Sequence, residues 1–480
     1  MVRKQDLVFD TDSFVNSVED SLDILSSFDT GSSRKTWPQS APEVSNLGHS
    51  GSLYSDLAHV FLEISDDRIA ARALAQLEGD RAQTILDTLQ MILDSEHTSI
   101  TSGNRARILY LTLQLAKRSG LYPQSLHLTD VTREDTHAVT AGHFGEIWKG
   151  RFRGRAVCMK VLKVYQRSDV TKLLRLFARE GILWSHLSHE NLLPFYGFHR
   201  LDDDAGRMCL ISPWAEHGCV RDYLQRNPDV NRYSLVRDSC QGLLYLHNHG
   251  IIHGDLKGVN ILVTKSRRAC VADFGLSAVA ESEIMRWTSL ASSAGVGGTV
   301  RWQAPELFDP NTEEAKPTKM SDVYSLGCVF YEIFTGEIPF HEVSRESTVI
   351  SHVQSGRQPS KPSQDSLPFS TWGLSEEVWN SCIHQSWSRT PEERPTIPYL
   401  LRQLAAVEAE EDRRRGDELR GASSRRPPET WLTAAEVRNS IRMSRGRAVR
   451  SGQRSYTSAD GGLPSWNEPT RWLQWLRASA

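Results

Sequence analysis

A carboxylate, an ammonium group and an amide follow one another between residues 253 and 260. The run reads His253-Gly254-Asp255-Leu256-Lys257-Gly258-Val259-Asn260 and leads directly into aliphatic residues. A carboxylate at Asp255 can accept a proton from a hydroxyl group, and an ammonium at Lys257 can contact a phosphate. The amide oxygen of Asn260 can bind a hard cation. The spacing therefore suits a loop that activates a hydroxyl group beside a metal-bound phosphate.

The pattern His-x-Asp-Leu-Lys-x-x-Asn resembles the catalytic loop of eukaryotic protein kinases. Gly254 stands where that family usually has arginine. The resemblance implies that Asp255 accepts or orients the substrate hydroxyl proton, that Lys257 stabilises charge on the transferred group, and that Asn260 binds Mg²⁺. Because the missing arginine normally pairs with a phosphorylated activation loop, we expect activity that depends little on activation-loop phosphorylation.

Upstream, residues 139–147 resemble the glycine-rich loop of that family, G-x-G-x-x-G-x-V. Such a loop needs glycines because its backbone N–H groups must approach phosphate oxygens without a Cβ in the way. Thr140 replaces the first glycine and Ile147 replaces the valine. The resemblance implies that ATP is contacted here by Val139, Gly142, Phe144, Gly145 and Ile147.

The next segment, Val157-Cys158-Met159-Lys160, resembles the V-A-I-K of the third kinase strand. Lys160 would contact the α- and β-phosphates, and Cys158 would take the place of the alanine that lies against adenine. Glu180 is the sole glutamate of a predicted helix over residues 168–187. It shares a helix face with Phe177 and Trp184, so it points inward, where an unpaired carboxylate is costly. Lys160 is its expected partner.

Residues 209–218 resemble the fifth strand and hinge of a kinase. Ser212 would be a small gatekeeper, and the N–H and carbonyl groups of Ala215 would bind adenine. Leu262 is assigned to the same nucleotide site.

Ala272-Asp273-Phe274-Gly275 resembles the magnesium-binding D-F-G motif, with Asp273 and Asn260 as the two metal ligands. Residues 298–306 resemble the end of the activation segment. Asp322 matches the aspartate that anchors the catalytic loop, and Arg394 matches the arginine that pairs with Glu306. The matches occur in family order, which chance does not explain.

Bulk composition restricts the class of protein. At 480 residues the chain exceeds what one core usually organises, so two or more domains are expected. The net charge of −3 gives no overall attraction to nucleic acid or membranes. Seven scattered cysteines without CxxC spacing indicate reduced thiols in a cytoplasmic protein, with a nuclear location left open. No run of 18 apolar residues predicts a transmembrane helix.

Amino-acid composition and hydrophobic periodicity divide the chain into four predicted regions. These are a disordered tail over residues 1–50, a helical segment over 51–125, a kinase domain over 128–405, and a charged, mostly disordered tail over 406–480. In the helical segment, Ala82, Ile85, Leu86, Leu89, Ile92 and Leu93 lie on one helix face. Two interpretations are open for this segment: a small bundle that packs on the next domain, or a partner-binding or oligomerisation module.

The C-terminal region also leaves alternatives open. Residues 412–456 carry twelve arginines against five acidic residues. The region is either a solvated tail, a contact for an anionic partner or a phosphorylation substrate. The tryptophan-rich end, residues 466–476, predicts a short amphipathic helix that docks on the folded part or contacts a membrane surface or partner.

The sequence therefore predicts an α+β, bilobal kinase fold preceded by a small helical segment. The predicted activity is transfer of the γ-phosphate of ATP, with Mg²⁺, to Ser or Thr hydroxyls of protein substrates. Lys257 and the Gly298-Thr299 pair favour serine/threonine specificity, and the sequence around Trp302 and Asp322 resembles the tyrosine-kinase-like branch. The phrase from His253 to Leu262, together with the Ser-Gly-Leu-Tyr-Pro run at residues 119–123, is similar to expanded kinase families of mushroom-forming fungi. The alternative is a pseudokinase that signals by binding, favoured by Thr140, Cys158 and Gly254.

Overall fold

The coordinates are a computed structural model that describes residues 50–95, 100–135, 137–141, 145–162, 170–201, 207–274, 300–308, 316–416 and 431–438. These residues form two compact units. The sheet unit holds the described residues from 50 to 188, from 194 to 214 and from 431 to 438. The helical unit holds residues 189–193 and the described residues from 215 to 416.

The sheet unit begins with four helices: α1 (Ser50–Asp66), α2 (Arg68–Ala75), α3 (Gly79–Asp94) and α4 (Ser102–Ser119). Asp67 and Thr101 accept hydrogen bonds from backbone N–H groups at the starts of α2 and α4. Gly120 ends α4 with φ of 72°, a left-handed conformation that glycine adopts readily. All six residues of the predicted apolar face in α3 are buried, which confirms that helical pattern.

Six strands form one antiparallel sheet: β1 (Val131–Arg133), β2 (Thr140–Ala141), β3 (Gly145–Phe152), β4 (Arg155–Leu162), β5 (Gly197–Arg200) and β6 (Met208–Pro213). The strand order is β1-β3-β4-β6-β5, and β2 pairs with β3. Helix α5 (Val170–Ser185) lies in the same unit. Because side chains alternate along a strand, Val157, Met159 and Val161 of β4 enter one buried apolar cluster on a single face.

The helical unit contains α6 (Val220–Arg226), α7 (Arg232–Asn248), the paired strands β7 (Ile261–Val263) and β8 (Ala269–Val271), and then α8 (Lys319–Thr335), α9 (Glu346–Gln354), α10 (Leu367–Ser370), α11 (Glu376–Val378) and α12 (Ile397–Gly416). A capping box between Thr318 and Ser321 starts α8. Every residue of α8 from Ser321 to Thr335 is buried. Helix α8 is therefore the central element of this unit.

The predicted α+β class is confirmed by a strand-rich unit and a mainly helical unit. The predicted tail boundary at 405 falls inside α12, and residues 434–438 form a short helix within the predicted tail. Residues 1–49 and, apart from 431–438, residues 417–480 lie outside the described part of the chain. None of the seven cysteines, all of which lie in the described ranges, forms a disulfide. Among the described residues, no helix has both the length and the apolar character needed to cross a membrane.

Candidate active site

The loop between α7 and β7 brings the three predicted chemical groups together. The Lys257 ammonium lies 2.8 Å from Asp255 Oδ2 and 3.1 Å from Asp255 Oδ1. The Asn260 amide nitrogen donates to the Asp255 backbone carbonyl at 2.8 Å and contacts Asp255 Oδ2 at 3.3 Å. Both the acid and the lysine remain partly exposed. The loop therefore presents an oriented carboxylate to solvent.

His253 is a buried residue that holds the backbone of this loop through hydrogen bonds of its imidazole ring. It is fully buried, and its Nδ1 accepts the Asp255 N–H at 3.2 Å. Its Nε2 lies 3.1 Å from the carbonyl oxygen of Ala272. Because Nδ1 acts as an acceptor, the proton of the neutral ring is on Nε2, which then donates to Ala272. The imidazole thus links the catalytic loop to the residue that precedes Asp273.

Asp322 on α8 anchors the same loop, as the sequence predicts. Its carboxylate accepts backbone N–H bonds from His253 and Gly254, each at 2.8 Å. A third contact, also of 2.8 Å, comes from His247 Nε2. Asp322 is 1% exposed, so these hydrogen bonds offset the cost of burying its charge. Gly254 has φ of 72°, a conformation that costs other residues free energy.

Glu332, ten residues further along α8, contacts the same loop at Gly258. Its Oε1 accepts the Gly258 N–H at 2.8 Å and the Trp302 indole N–H at 2.5 Å. A Cβ at Gly258 would lie 2.6 Å from Glu332 Oε2, so only glycine permits this approach. Burial raises the pKa of Glu332 to about 7, although these hydrogen bonds and the charges of Arg221 and Lys257 oppose the rise.

Sequence reasoning missed Glu332. A signal was available in the sequence, because Asp322 and Glu332 are the only acidic residues in the mostly apolar α8. A buried carboxylate in such a helix needs partners. Here the partners come from the catalytic loop and from the segment that contains Trp302.

Asp273 follows β8 and lies in the same unit as Asp255. Its φ of 58° is unusual for a residue other than glycine, and such strain often occurs at functional sites. The Ala272 N–H donates to the Asn260 carbonyl at 2.8 Å, which ties the segment before Asp273 to the catalytic loop. Phe274 is buried, and Gly275 lies outside the described residues.

The donor set at this end fits a hard divalent cation. Because the Asn260 amide nitrogen is directed toward Asp255, its Oδ1 is the atom that can face a metal. Asp273, which follows β8, would supply carboxylate oxygens. Mg²⁺ in proteins is commonly held by one or two such oxygen donors together with substrate phosphates and water.

The end of the predicted activation segment is fixed by a bidentate ion pair. Arg394 donates from Nη1 and Nη2 to the two carboxylate oxygens of Glu306, each at 2.6 Å. The Arg394 side chain is fully buried. The predicted pairing of these two residues is confirmed. Residues 275–299, including Gly298 and Thr299, lie outside the described part of the chain.

In the sheet unit, Lys160 lies on β4 between Ile147 of β3 and Leu210 of β6. It is half-buried and shares a strand face with Cys158, as the period of two predicts. Cys158 pairs with Ser212 across β4 and β6, and Ser212 is 4% exposed. Ser212, the predicted gatekeeper, is therefore the cross-strand neighbour of Cys158.

Glu180 lies on α5 and is 4% exposed, so the predicted inward orientation is confirmed. The next residue, Gly181, brings α5 close to the sheet. A Cβ at Gly181 would lie 2.2 Å from the Phe198 ring on β5. Phe195 and Phe198 pack edge to face beside this contact, with ring centroids 5.2 Å apart. The helix that carries Glu180 is therefore packed against aromatic side chains.

The remaining predicted nucleotide contacts are divided between the two units. Val139 is exposed and donates its N–H to the Ile147 carbonyl at 2.8 Å, and Gly145 begins β3. Gly142 and Phe144 lie outside the described residues. In the helical unit, the Ala215 carbonyl accepts the Gly218 N–H at 3.1 Å. Leu262 on β7 is half-buried.

Comparison with known proteins identifies the family of this chain. A family model described as protein tyrosine and serine/threonine kinase matches residues 134–404, more than half of the chain. The chain is 28% identical over 293 residues to serine/threonine-protein kinase STY46 of Arabidopsis thaliana, an alignment that covers 60% of this chain and 46% of the relative. It is 28% identical over 271 residues to serine/threonine-protein kinase STY17 of the same plant, covering 55% and 43%.

A bacterial relative shows higher identity over a shorter region. The chain is 34% identical over 215 residues to serine/threonine-protein kinase PknB of Mycobacterium leprae, covering 44% of this chain and 33% of the relative. The chain thus spans less than half the length of each of these three relatives. The predicted bilobal α+β kinase fold is confirmed by the family match. The chain belongs to the protein tyrosine and serine/threonine kinase family.

Proposed function

We propose that this chain is an ATP-dependent protein kinase that transfers the γ-phosphate of ATP to serine or threonine hydroxyls of protein substrates. The observation that carries the proposal is the Asp255 carboxylate, which Lys257 and Asn260 orient within a loop anchored by Asp322. The names of the relatives, each a serine/threonine-protein kinase, support the same activity.

At the nucleotide end, Lys160 would contact the α- and β-phosphates and Glu180 would orient its ammonium. The burial of Glu180 supports this role, because a buried carboxylate is stabilised by a nearby cation. Gly142 and Gly145 would approach the phosphates with their backbone N–H groups. The adenine would lie among Val139, Ile147, Cys158, Ser212, Ala215, Leu262 and Phe144.

At the transfer end, Asn260 and Asp273 would hold Mg²⁺, which would neutralise charge on the β- and γ-phosphates. Asp255 would orient the substrate hydroxyl and accept its proton. Lys257, within 3.1 Å of both Asp255 oxygens, would place positive charge beside the transferred group. The same lysine contacts both Asp255 oxygens and so orients the carboxylate that would accept the proton.

We further propose that activity depends little on activation-loop phosphorylation. Gly254 has no side chain to pair with a phosphate, and its N–H is held by Asp322. In kinases with arginine at this position, the positive charge of the arginine is normally balanced by a phosphorylated activation loop. Asp322 holds the loop at Gly254 through the backbone alone.

The finer affiliation is also a proposal. The motifs around Trp302 and Asp322 support the tyrosine-kinase-like branch, and the phrase from His253 to Leu262 supports the expanded fungal families. Protein substrates are the expected partners. The free cysteines support a cytoplasmic location.

A pseudokinase remains the second candidate, because Thr140, Cys158 and Gly254 depart from the family pattern. The two candidates differ in phosphate transfer. The test is labelling of a generic protein substrate by ATP, with Lys160→Ala as the inactive variant and Lys149→Ala as the control. Lys149 lies on the neighbouring strand and pairs with Glu134 at 3.6 Å.

We expect labelling by the wild type and by Lys149→Ala, and a loss of at least about 100-fold in Lys160→Ala. Phosphoamino-acid analysis of the product should show phosphoserine or phosphothreonine. Equal labelling by all three proteins would leave the scaffold as the better account. Phosphotyrosine alone would contradict the serine/threonine proposal.

A further inference from the structure

Residues 431–438, here called the docking segment, fold onto the sheet unit although they follow the helical unit in sequence. A capping box starts their short helix: the Glu436 N–H donates to Thr433 Oγ1 at 3.2 Å, and the Thr433 N–H donates to Glu436 Oε2 at 2.6 Å. Within the helix, Ala434 and Val437 are buried, whereas Ala435 is exposed. The segment therefore has one face that packs and one that meets solvent.

Val437 completes the apolar core of the sheet. It is 1% exposed and belongs to the buried cluster formed by Leu128, Val131, Trp148, Phe152, Val157, Met159, Val161, Tyr196, Cys209 and Ile211. Leu432 packs against the same cluster. Met159 lies on the strand face opposite Lys160, so the docking segment covers the side of the sheet that faces away from that lysine.

Arg438 joins the ends of two helices. Its Nη1 donates to the carbonyl of Ser185, the last residue of α5, at 2.8 Å. Its Nε lies 3.0 Å from Asp94 Oδ1, at the last residue of α3. The Arg438 and Asp94 side chains are 12% and 10% exposed, so solvent screens this ion pair only weakly. A guanidinium at a helix C-terminus also interacts favourably with the helix dipole.

A polar cluster continues from this contact. Gln90 donates to Asp94 Oδ1 at 3.1 Å, and its Oε1 lies 3.2 Å from His186 Nε2. Burial, together with the charges of Arg438 and Arg105, lowers the pKa of His186 to about 3. The imidazole therefore stays neutral at pH 7 and donates to Gln90. Residues from α3, from the end of α5 and from the docking segment thus form one connected junction.

We propose that the docking segment is an intrachain ligand of the sheet unit, which closes its apolar core through Val437 and fixes the end of α5 to α3 through Arg438. When the segment is seated, α5 has a fixed position; when it leaves, α5 loses the contact at Ser185. The binding surface is the one described above, and its partner is this short amphipathic piece of the same chain.

The consequence for catalysis rests on the proposed function. Glu180 lies on α5 five residues before Ser185, next to the close contact between Gly181 and Phe198. Displacement of the end of α5 would move the carboxylate that orients Lys160. The docking segment thereby becomes a positioning element for the nucleotide end of the site, and it acts from the C-terminal part of the chain.

The test compares two full-length variants that introduce the same charge on opposite faces of one short helix. Val437→Asp places a carboxylate in the apolar cluster, whereas Ala435→Asp places it in solvent. Hydrogen–deuterium exchange is measured in residues 85–94 and 174–185, with 232–248 of the helical unit as the internal reference. We expect at least about tenfold faster exchange in the first two regions for Val437→Asp only.

Rescue in trans separates docking from a general loss of folding. A synthetic peptide of residues 429–440 is added to Val437→Asp, and the same peptide with Asp at position 437 serves as the control. We expect the wild-type peptide alone to restore slow exchange and, if the protein is a kinase, to restore a kcat/KM for ATP that has fallen about tenfold. Arg438→Lys should retain more of both than Arg438→Ala.

Three results would overturn the proposal: equal exchange in Val437→Asp and Ala435→Asp, no restoration by the wild-type peptide, or unchanged exchange in residues 174–185 of Arg438→Ala. If Val437→Asp does not fold, exchange in residues 174–185 of Arg438→Ala tests the proposal instead. The exchange and rescue measurements need no phosphate transfer. An inactive wild-type protein would therefore refute the proposed function and still leave the docking of residues 431–438 tested.

Discussion

Each unit contains one polar junction beside predicted site residues, and the two junctions are built in opposite ways. In the helical unit, a single buried helix supplies both supports, Asp322 and Glu332, and each contacts the catalytic loop directly. In the sheet unit, Arg438 contacts the last residue of α5 and pairs with Asp94, which lies more than 300 residues earlier in the sequence. The first junction is compact in sequence and the second is assembled from distant segments.

The difference indicates what each part of the site demands. The transfer end needs atoms at fixed positions, so rigid backbone hydrogen bonds to buried carboxylates serve it. We propose that the nucleotide end depends on the position of α5, whose support comes from segments that are distant in sequence. We expect perturbations of the helical unit to affect the loop locally and strongly, and perturbations of the sheet unit to affect α5 through packing.

The largest effect is expected for Asp322→Ala. The change leaves the buried N–H groups of His253 and Gly254 without their acceptor, and each such loss costs about 1–3 kcal/mol. The free energy of unfolding should fall by about 4 kcal/mol in urea titration. Asp229→Ala, on an exposed loop, should change it by less than about 0.5 kcal/mol. Equal effects of the two changes would mean that Asp322 is not the anchor.

Glu332 should give the helical unit a characteristic pH dependence. In the unfolded chain its pKa is near the usual value of 4.5, and in the folded protein burial raises it to about 7. The folded state therefore binds more protons between these two values. The contribution of Glu332 to the free energy of unfolding should fall as pH rises through this window, by about 3 kcal/mol at most.

The matched variant for this prediction is Glu332→Gln, which keeps an acceptor for Gly258 and Trp302 and does not titrate. Because His186 is present in both proteins, the wild type minus variant difference in the free energy of unfolding isolates Glu332. This difference should fall as pH rises from 4.5 to 7. The junction in the sheet unit predicts the opposite sign, because the pKa of His186 is lowered and its contribution is lost as pH falls below 6.5. Identical pH profiles of the wild type and Glu332→Gln would contradict the assignment to Glu332.

Gly181→Ala tests the packing of α5 in the sheet unit. The added Cβ meets the Phe198 ring, so the helix or the ring must shift, at a cost of about 1–3 kcal/mol. The measurement is thermal unfolding together with the KM for ATP, which should rise if Glu180 moves with the helix. Gly103→Ala serves as the control, because a Cβ there meets no atom within 4 Å. A KM for ATP equal to that of the control would show that the position of Glu180 does not depend on the contact between Gly181 and Phe198.

The smallest effect is expected at Gly254. Its φ of 72° is left-handed, so Gly254→Ala should lower the free energy of unfolding by about 1 kcal/mol. The N–H donated to Asp322 is retained, and the rate of phosphate transfer should therefore change little. Gly356→Ala, at φ of 80° and far from the loop in sequence, is the control for the strain alone. A large loss of rate in Gly254→Ala only would show that the glycine has a role beyond its conformation.

The sequence predicted the parts of the molecule in which local pattern and family motif agree. The apolar face of α3, the strand that carries Lys160, the buried Glu180 and the anchor Asp322 all follow from periodicity or from motifs at fixed spacing. Glu332 was not found, because a carboxylate in a mostly apolar helix does not reveal which distant N–H groups it accepts. Contacts of that kind exist only after the chain has folded.

The docking segment was missed for a related reason. Its surroundings are rich in arginine and proline, and this composition predicts a disordered tail. The local signal was Thr433-x-x-Glu436, a capping box before Val437. That signal indicates a short helix, but it gives no information about the surface that the helix covers. The apolar cluster that receives Val437 is assembled from strands more than 200 residues earlier in the chain.

The central claim is that Asp255 acts on the substrate hydroxyl within a loop held by α8. The most direct measurement compares kcat with ATP affinity in Asp255→Asn and in Asp229→Asn, a matched change on an exposed loop. We predict that Asp255→Asn binds ATP with wild-type affinity and loses at least about 100-fold in kcat, whereas Asp229→Asn retains both. A kcat of Asp255→Asn equal to that of the wild type would contradict the account.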